Sequence, residues 1–215
     1  MAASVMPGVA LLEARSVDLA VGGRPILRGW SAAVSAGLVL VLGDEGAGKT
    51  SVLRLLAGET APGAGSLHLN GAVHGTAAYG TQVFWHDPRI GAPPDSTPLA
   101  WGAQWAERHP RWREDEWLRH LHGFALQPHV DKAMFQLSTG SQRKVLLAAA
   151  LASGAPLTLI DEPVAALDRP SIAYLCTALA HEGRTPRWPD RAIVLAHYDS
   201  LGPNVPWSRT VSLPG

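Results

Sequence analysis

The chain has little that would staple it, anchor it or give it a strong charge. It holds one cysteine, Cys176, which cannot form an internal disulfide and so suits a reducing compartment. It has no excess charge of either sign: 18 Lys and Arg balance 18 Asp and Glu. That balance argues against a protein that grips nucleic acid by bulk electrostatics. It has no long apolar run. The longest mostly apolar stretch, Val145 to Ile160, is interrupted by Ser153, Gly154, Pro156 and Thr158, and a membrane span needs about 20 apolar residues. Met1 to Leu12 carries no Lys or Arg ahead of its apolar residues, so a signal peptide is not expected there. Internal repeats and low-complexity tracts are also absent from the 215 residues. What is present is apolar material for a sizeable core, 47% hydrophobic against 17% charged, which excludes a disordered chain. The expectation is a soluble, cytosolic globular protein of one domain.

The apolar runs place the elements. Leu11 to Leu19 and Ile26 to Val34 flank Gly22-Gly23 and predict two strands joined by a turn. Leu38 to Leu42 is continuously apolar between Gly37 and Gly43, the pattern of a strand buried on both faces. Lys49 to Ala57 follows as a helix, with Val52, Leu53, Leu55 and Leu56 facing the core and Gly58 as its stop. From Phe84 to about Phe135 the composition shifts: Trp85, Trp101, Trp105, Trp112 and Trp117 fall here. We read helices at Leu99 to Glu107 and Glu114 to His122, forming a helical insertion whose tryptophans pack its core. Beyond Ser138 the pattern alternates again. Helices are expected at Ser141 to Ala152 and Pro170 to His181, and strands at Leu157 to Ile160, Ala192 to Ala196 and Thr210 to Leu213. Strands separated by helices imply an α/β fold with a mostly parallel sheet covered on both faces.

Two motifs carry chemistry. Gly43-Asp44-Glu45-Gly46-Ala47-Gly48-Lys49-Thr50, with Ser51 after it, fits G-x-x-x-x-G-K-[ST] between a buried strand and a helix. Its glycines let backbone N–H groups converge on phosphate oxygens, and the helix adds the positive end of its dipole. Lys49 supplies a point charge to the β- and γ-phosphates and Thr50 a hydroxyl to Mg²⁺. Asp44 and Glu45 sit oddly beside an anion, so their side chains are expected to point outward. The second motif is Asp161-Glu162, two carboxylates at the end of an apolar strand, where open parallel sheets gather ligands. The first carboxylate suits Mg²⁺; the second suits the base that polarises an attacking water.

Leu137-Ser138-Thr139-Gly140-Ser141-Gln142, just ahead of the acidic strand, resembles the Leu-Ser-Gly-Gly-Gln signature of ABC-type ATPases. Gln82, Ala166-Leu167-Asp168 and His197 resemble that family's Q-loop, D-loop and switch histidine, in the same order along nearly the whole chain. The short length further resembles the ATPase subunits of cytochrome c-type haem exporters. The resemblance implies a P-loop NTPase of ABC type with an N-terminal antiparallel β subdomain. It implies a core about 1–83 and 145–215 and a helical subdomain about 84–144. It also implies a head-to-tail dimer with a second nucleotide-binding subunit, identical or divergent. Ser138, Gly140 and Ser141 of one subunit would complete the ATP site of the other. Gln82 would reach Mg²⁺ and the attacking water, and His197 the γ-phosphate. An integral membrane permease on the helical insertion would couple ATP hydrolysis to transport, with the chain peripheral on the inner face of the cell membrane and no nucleic acid partner. A soluble ABC ATPase is the alternative, but such chains usually carry two cassettes or a long coiled coil. A non-hydrolysing scaffold is the other, against which Glu162 and His197 stand. Departures from the family pattern are Val21 where an aromatic usually stacks on adenine, Thr139 and Ser141 in the signature, and Ala149 where arginine is common.

Overall fold

The computed structural model describes residues 10–213. Most of the Met1 to Leu12 stretch, and the outer ends of the 1–215 domain, lie outside them. In chain order the elements are β1 (Leu12–Val21), β2 (Arg24–Val34), β3 (Gly37–Leu42), α1 (Lys49–Ala57), β4 (Ala64–Leu69), β5 (Ala72–Val73), α2 (Ala77–Gly80) and β6 (Val83–Phe84). The second half adds α3 (Pro98–Arg108), α4 (Glu114–Gly123), α5 (Thr139–Ala152), β7 (Leu157–Asp161), α6 (Arg169–Arg184), β8 (Ala192–His197) and β9 (Arg209–Ser212).

The strands form two sheets. β1 and β2 pair antiparallel around the Gly22-Gly23 turn, and β4 and β5 extend them in the order β2-β1-β4-β5. The second sheet runs β6-β7-β8-β3-β9, every neighbouring pair parallel. All five residues of β7 and all six of β8 are buried, because helices cover both faces as parallel strands require. The side-chain alternation of β3 divides the core. Val39 and Val41 face a cluster built with α1 and the antiparallel sheet, while Leu38 faces a second cluster with α3 to α6. Trp101, Trp105 and Trp117 are buried in that second cluster, so these tryptophans pack the helical layer.

The helix ends are tied down locally. Thr97 caps α3 and Asp168 caps α6 through side-chain oxygens that accept backbone N–H groups. Arg191, buried at the start of β8, donates to the carbonyls of Ala150 at 2.6 Å and Leu151 at 3.0 Å in the last turn of α5. It satisfies acceptors that a helix leaves unpaired at its C-terminus. Burial pushes its guanidinium down to about 10, with Glu182 acting in the opposite direction. Ala149 on the same helix is fully buried.

Candidate nucleotide-binding site

Parallel register puts three strand ends at one edge. Leu42 of β3 pairs with His197 of β8, and Asp161 of β7 pairs with Ala196. The phosphate-loop motif leaves β3 at this edge and enters α1 at Lys49. Gly48 there is left-handed, with φ 93°, and a Cβ on it would stand 2.6 Å from Ile26. Conformation and close approach both demand glycine. Asp44 and Glu45 are exposed, Lys49 is buried, and Gly43 to Ser51 form the turn and first residues of the helix. A cavity of about 850 Å³ opens over Gly46, Gly48, Lys49, Thr50, Ser51 and Glu162, with Asp44, Glu45, Arg89 and Tyr198 also along it. The outward orientation expected of Asp44 and Glu45 thus keeps them exposed, yet still on its rim.

Lys49 Nζ donates to the carbonyls of Gly43 at 2.8 Å and Asp44 at 3.0 Å, and lies 3.1 Å from Glu162 Oε1. The ammonium is thus held over the loop. Thr50 Oγ1 donates to Asp161 Oδ2 at 2.6 Å, while Asp161 Oδ1 is buried with no hydrogen-bond partner. Burial pushes the Asp161 carboxyl up; the Thr50 hydrogen bond acts in the opposite direction. His197 is buried, with Nδ1 at 3.1 Å from the Asp199 amide nitrogen and Nε2 unbonded, 3.8 Å from Glu162 Oε2. The unbonded Asp161 oxygen beside the Thr50 hydroxyl suits a hard divalent cation that takes few protein oxygens. Among the described residues no cluster of three or more His, Cys, Asp or Glu forms that could cage a metal.

Glu162 leaves β7 in a left-handed conformation, φ 43°, uncommon for a residue with a side chain. Arg143, buried on α5, holds this turn by donating through Nη2 to the carbonyls of Asp161 and Glu162. Burial pushes the Arg143 guanidinium down, with Asp161 and Glu162 acting in the opposite direction. The motif reading missed Arg143. The signal for it was an arginine on the face of a helix otherwise lined with leucine and alanine.

Ser138 caps α5, its Oγ accepting the Ser141 amide N–H at 3.1 Å. Ser138 is exposed and Gly140 and Ser141 are half-buried; none of the three lines the phosphate-loop cavity. A Cβ on Gly140 would stand 2.5 Å from the Ala166 carbonyl oxygen, so glycine permits the start of α5 to lie against the 162–168 segment. Val21, at the end of β1, is about half exposed.

Gln82 must be corrected. The resemblance puts it at the metal and the attacking water. The short helix α2 precedes it and the strand β6 follows it. Gln82 is level with the start of β7, since its carbonyl accepts the Leu157 N–H at 3.0 Å, and Asp161 lies at the far end of that strand. Its side chain accepts from Asn70 at 2.8 Å and donates to the Ala78 carbonyl at 2.9 Å. The residues that β6 does deliver to the site edge belong to the segment after Phe84. There Asp87, 2% exposed, accepts from Arg54 of α1 and from Arg89. Burial pushes its carboxyl up, but the hydrogen bonds from Arg89 and Arg54 outweigh burial and hold it well below the usual carboxylate range.

A family model described as ABC transporter matches residues 27–165. The cytochrome c biogenesis ATP-binding export protein CcmA of Ruegeria pomeroyi is 34% identical over 186 residues, covering 85% of this chain and 83% of that protein. Its counterpart in Pseudomonas savastanoi pv. phaseolicola is 36% identical over 181 residues, covering 82% and 84%. Among solved structures, a putative ABC transporter ATP-binding protein from Pyrococcus furiosus superposes with a TM-score of 0.77 at 20% identity, over 94% of this chain and 96% of that one. A bacterial ABC transporter cassette solved as a dimer superposes with a TM-score of 0.75 at 18% identity, over 94% of each chain. The fold expected from the signature is therefore the fold found, a P-loop NTPase of ABC type. The chain belongs to the ABC transporter family, as one of its ATP-binding, ATP-hydrolysing subunits.

Proposed function

We propose that the cleft at the ends of β3, β7 and β8 binds ATP with Mg²⁺, and that a second nucleotide-binding subunit completes it. The observation that carries this reading is the meeting of Lys49, Thr50, Asp161, Glu162 and His197 within one chain, with Thr50 and Asp161 2.6 Å apart and Lys49 and Glu162 3.1 Å apart. The N–H groups of the loop from Gly43 to Ser51 wrap the phosphates, and Lys49 exchanges its pairing with Glu162 for the β- and γ-phosphates. Thr50 and Asp161 would hold a magnesium ion, which when bound would neutralise charge on the phosphate oxygens. Glu162, released from Lys49, takes a proton from a water that adds to the γ-phosphorus as the bond to the bridging β–γ oxygen breaks. His197 Nε2 faces Glu162 and contacts the γ-phosphate. Ser138, Gly140 and Ser141 serve the partner's nucleotide, which fits their exposure away from this chain's own cavity.

In this reading the core, about 1–83 and 145–215, binds nucleotide, and the helical subdomain, about 84–144, meets an integral membrane permease. The chain then works peripherally at the cytoplasmic face of the membrane. No helix among the described residues is long and apolar enough to cross one, so the pathway belongs to the permease. The nearness of the CcmA proteins favours an export subunit of that kind. Titration of the purified protein with Mg-ATP, alongside Lys49→Ala, tests the proposal. Binding in the wild type and its loss in the variant are expected; equal binding by both overturns it.

A further inference from the structure

We propose that Arg89 is a second phosphate-binding cation of this site, supplied by the same chain and specific for the terminal phosphate. The inference rests on the nucleotide reading above and extends it to a residue outside the phosphate-loop and signature motifs. Arg89 lines the cavity shared by Gly48, Lys49, Thr50 and Glu162. Its guanidinium is held in place from below: Nε donates to Asp87 Oδ1 at 3.0 Å and Nη2 to Oδ2 at 2.9 Å, while the Arg89 amide also donates to Oδ1 at 3.0 Å. Asp87 is buried and anchored a second time by Arg54 of α1, at 2.5 Å. The two arginines are matched by Asp87 and, next to Arg54, by Glu59, so the cluster is balanced and Arg89 carries its charge at the exposed end. Arg54 lies 3.9 Å from Glu59; Nη1 of Arg89 has no hydrogen-bond partner among the described residues, and its side chain is 59% exposed. A guanidinium has five N–H donors, so the pairing with Asp87 fixes its direction and leaves donors for an anion, at little entropic cost.

The side of approach selects the phosphate. Arg89 follows β6, the neighbour of β7 in the sheet, so it enters from the edge that carries Asp161 and Glu162. The opposite edge of the loop is met by Arg24 from the β1–β2 turn, 3.3 Å from the Gly46 carbonyl. Charge also favours a second cation. Lys49 is paired with Glu162 and Asp161 is close by, so the phosphate-loop lysine alone faces two carboxylates before any phosphate arrives. With Gln82 at the far end of β7, the segment after β6 meets the cleft through Arg89.

The test is equilibrium binding of Mg-ATP and Mg-ADP to the full chain carrying Arg89→Ala or Arg89→Lys, in a Glu162→Gln background that holds ATP intact. Arg89→Ala is expected to weaken ATP binding about tenfold or more, the scale of one lost charge-assisted hydrogen bond, and to change ADP binding less than about twofold. Arg89→Lys, which keeps the charge without the fork, is expected to restore part of the ATP affinity. Unchanged ATP affinity in Arg89→Ala overturns the proposal. So does an equal loss for ATP and ADP, which would mark a structural role for the Asp87 cluster. If the Glu162→Gln parent itself binds neither nucleotide, the nucleotide reading falls first, and this inference with it.

Discussion

The phosphate-loop side and the signature side of the molecule are built on opposite terms. Around Lys49 and Asp161 the side chains are buried and bonded to one another within the chain: lysine to loop carbonyls, threonine to aspartate, Arg143 to the turn at Glu162. Ser138 is exposed and its hydroxyl bonds only to Ser141 at the start of its own helix. The first region is preorganised by folding. The second is a capped helix N-terminus whose Ser138, Gly140 and Ser141 lie outside the phosphate-loop cavity, and in the proposed dimer it would meet the partner's nucleotide. Changes in the first region should therefore act on a single subunit, and changes in the second only on the pair.

The largest contrast is expected from Glu162→Gln. Steady-state phosphate release should fall about 10²- to 10⁴-fold, the range for loss of a general base, with Mg-ATP binding retained. Turnover equal to wild type would remove Glu162 from the chemistry. Arg143→Met should lower stability by about 2 kcal/mol, since two carbonyls lose their donor while an unfavourably buried charge is removed. Denaturant melts read this directly, and an unchanged midpoint would mean the turn at Glu162 supports itself. Acid should loosen the helical layer as well, through two buried histidines. Burial, joined by Arg108 and Arg191, pushes His109 down to about 4, and burial with Arg119 and Arg191 pushes His120 down to about 3. Both are neutral in the fold and take protons more readily when unfolded. Stability should thus be full above about pH 6.5 and fall as pH drops toward 4. At pH 5 the loss is about 2 kcal/mol for each histidine, and His109→Gln should flatten part of the slope. Ser138→Ala should show the smallest effect on one subunit, about 1 kcal/mol for a lost cap, with ATP affinity of the isolated subunit unchanged. ATP-dependent dimerisation, followed by light scattering, should nevertheless weaken. A loss of monomer ATP affinity would erase the contrast between the two regions.

Legibility in the sequence followed the same division. The buried strand into Gly43 and the acidic end of β7 could be read as continuous apolar runs stopped by glycine or by charge, and the helix from Lys49 by its apolar face and the Gly58 stop. Gln82 could not be placed, since β6 has two residues and two residues carry no periodicity. Only its pairing of Val83 with Leu157 reveals which end of the strand faces the cleft. β4 and β5 were passed over for the same reason: β5 is equally short, and β4 pairs across a long separation with β1. Arg143, Asp87 and Arg89 fall in no motif. Arg143 and Asp87 matter through burial and through partners 18 and 33 positions away in the chain, and Arg89 through its pairing with the buried Asp87.

The sequence by itself determined the elements whose causes are local: hydrophobic period, glycine at a left-handed turn, a hydroxyl at a helix start, and the order of the motifs. Tertiary structure alone decided which charges meet. It paired Asp87 with two arginines, set Arg143 beneath Glu162 and left Gln82 at the wrong end of its strand. Electrostatic and hydrogen-bond partnerships depend on distances of a few ångströms between remote segments, and only the packed sheet sets those distances.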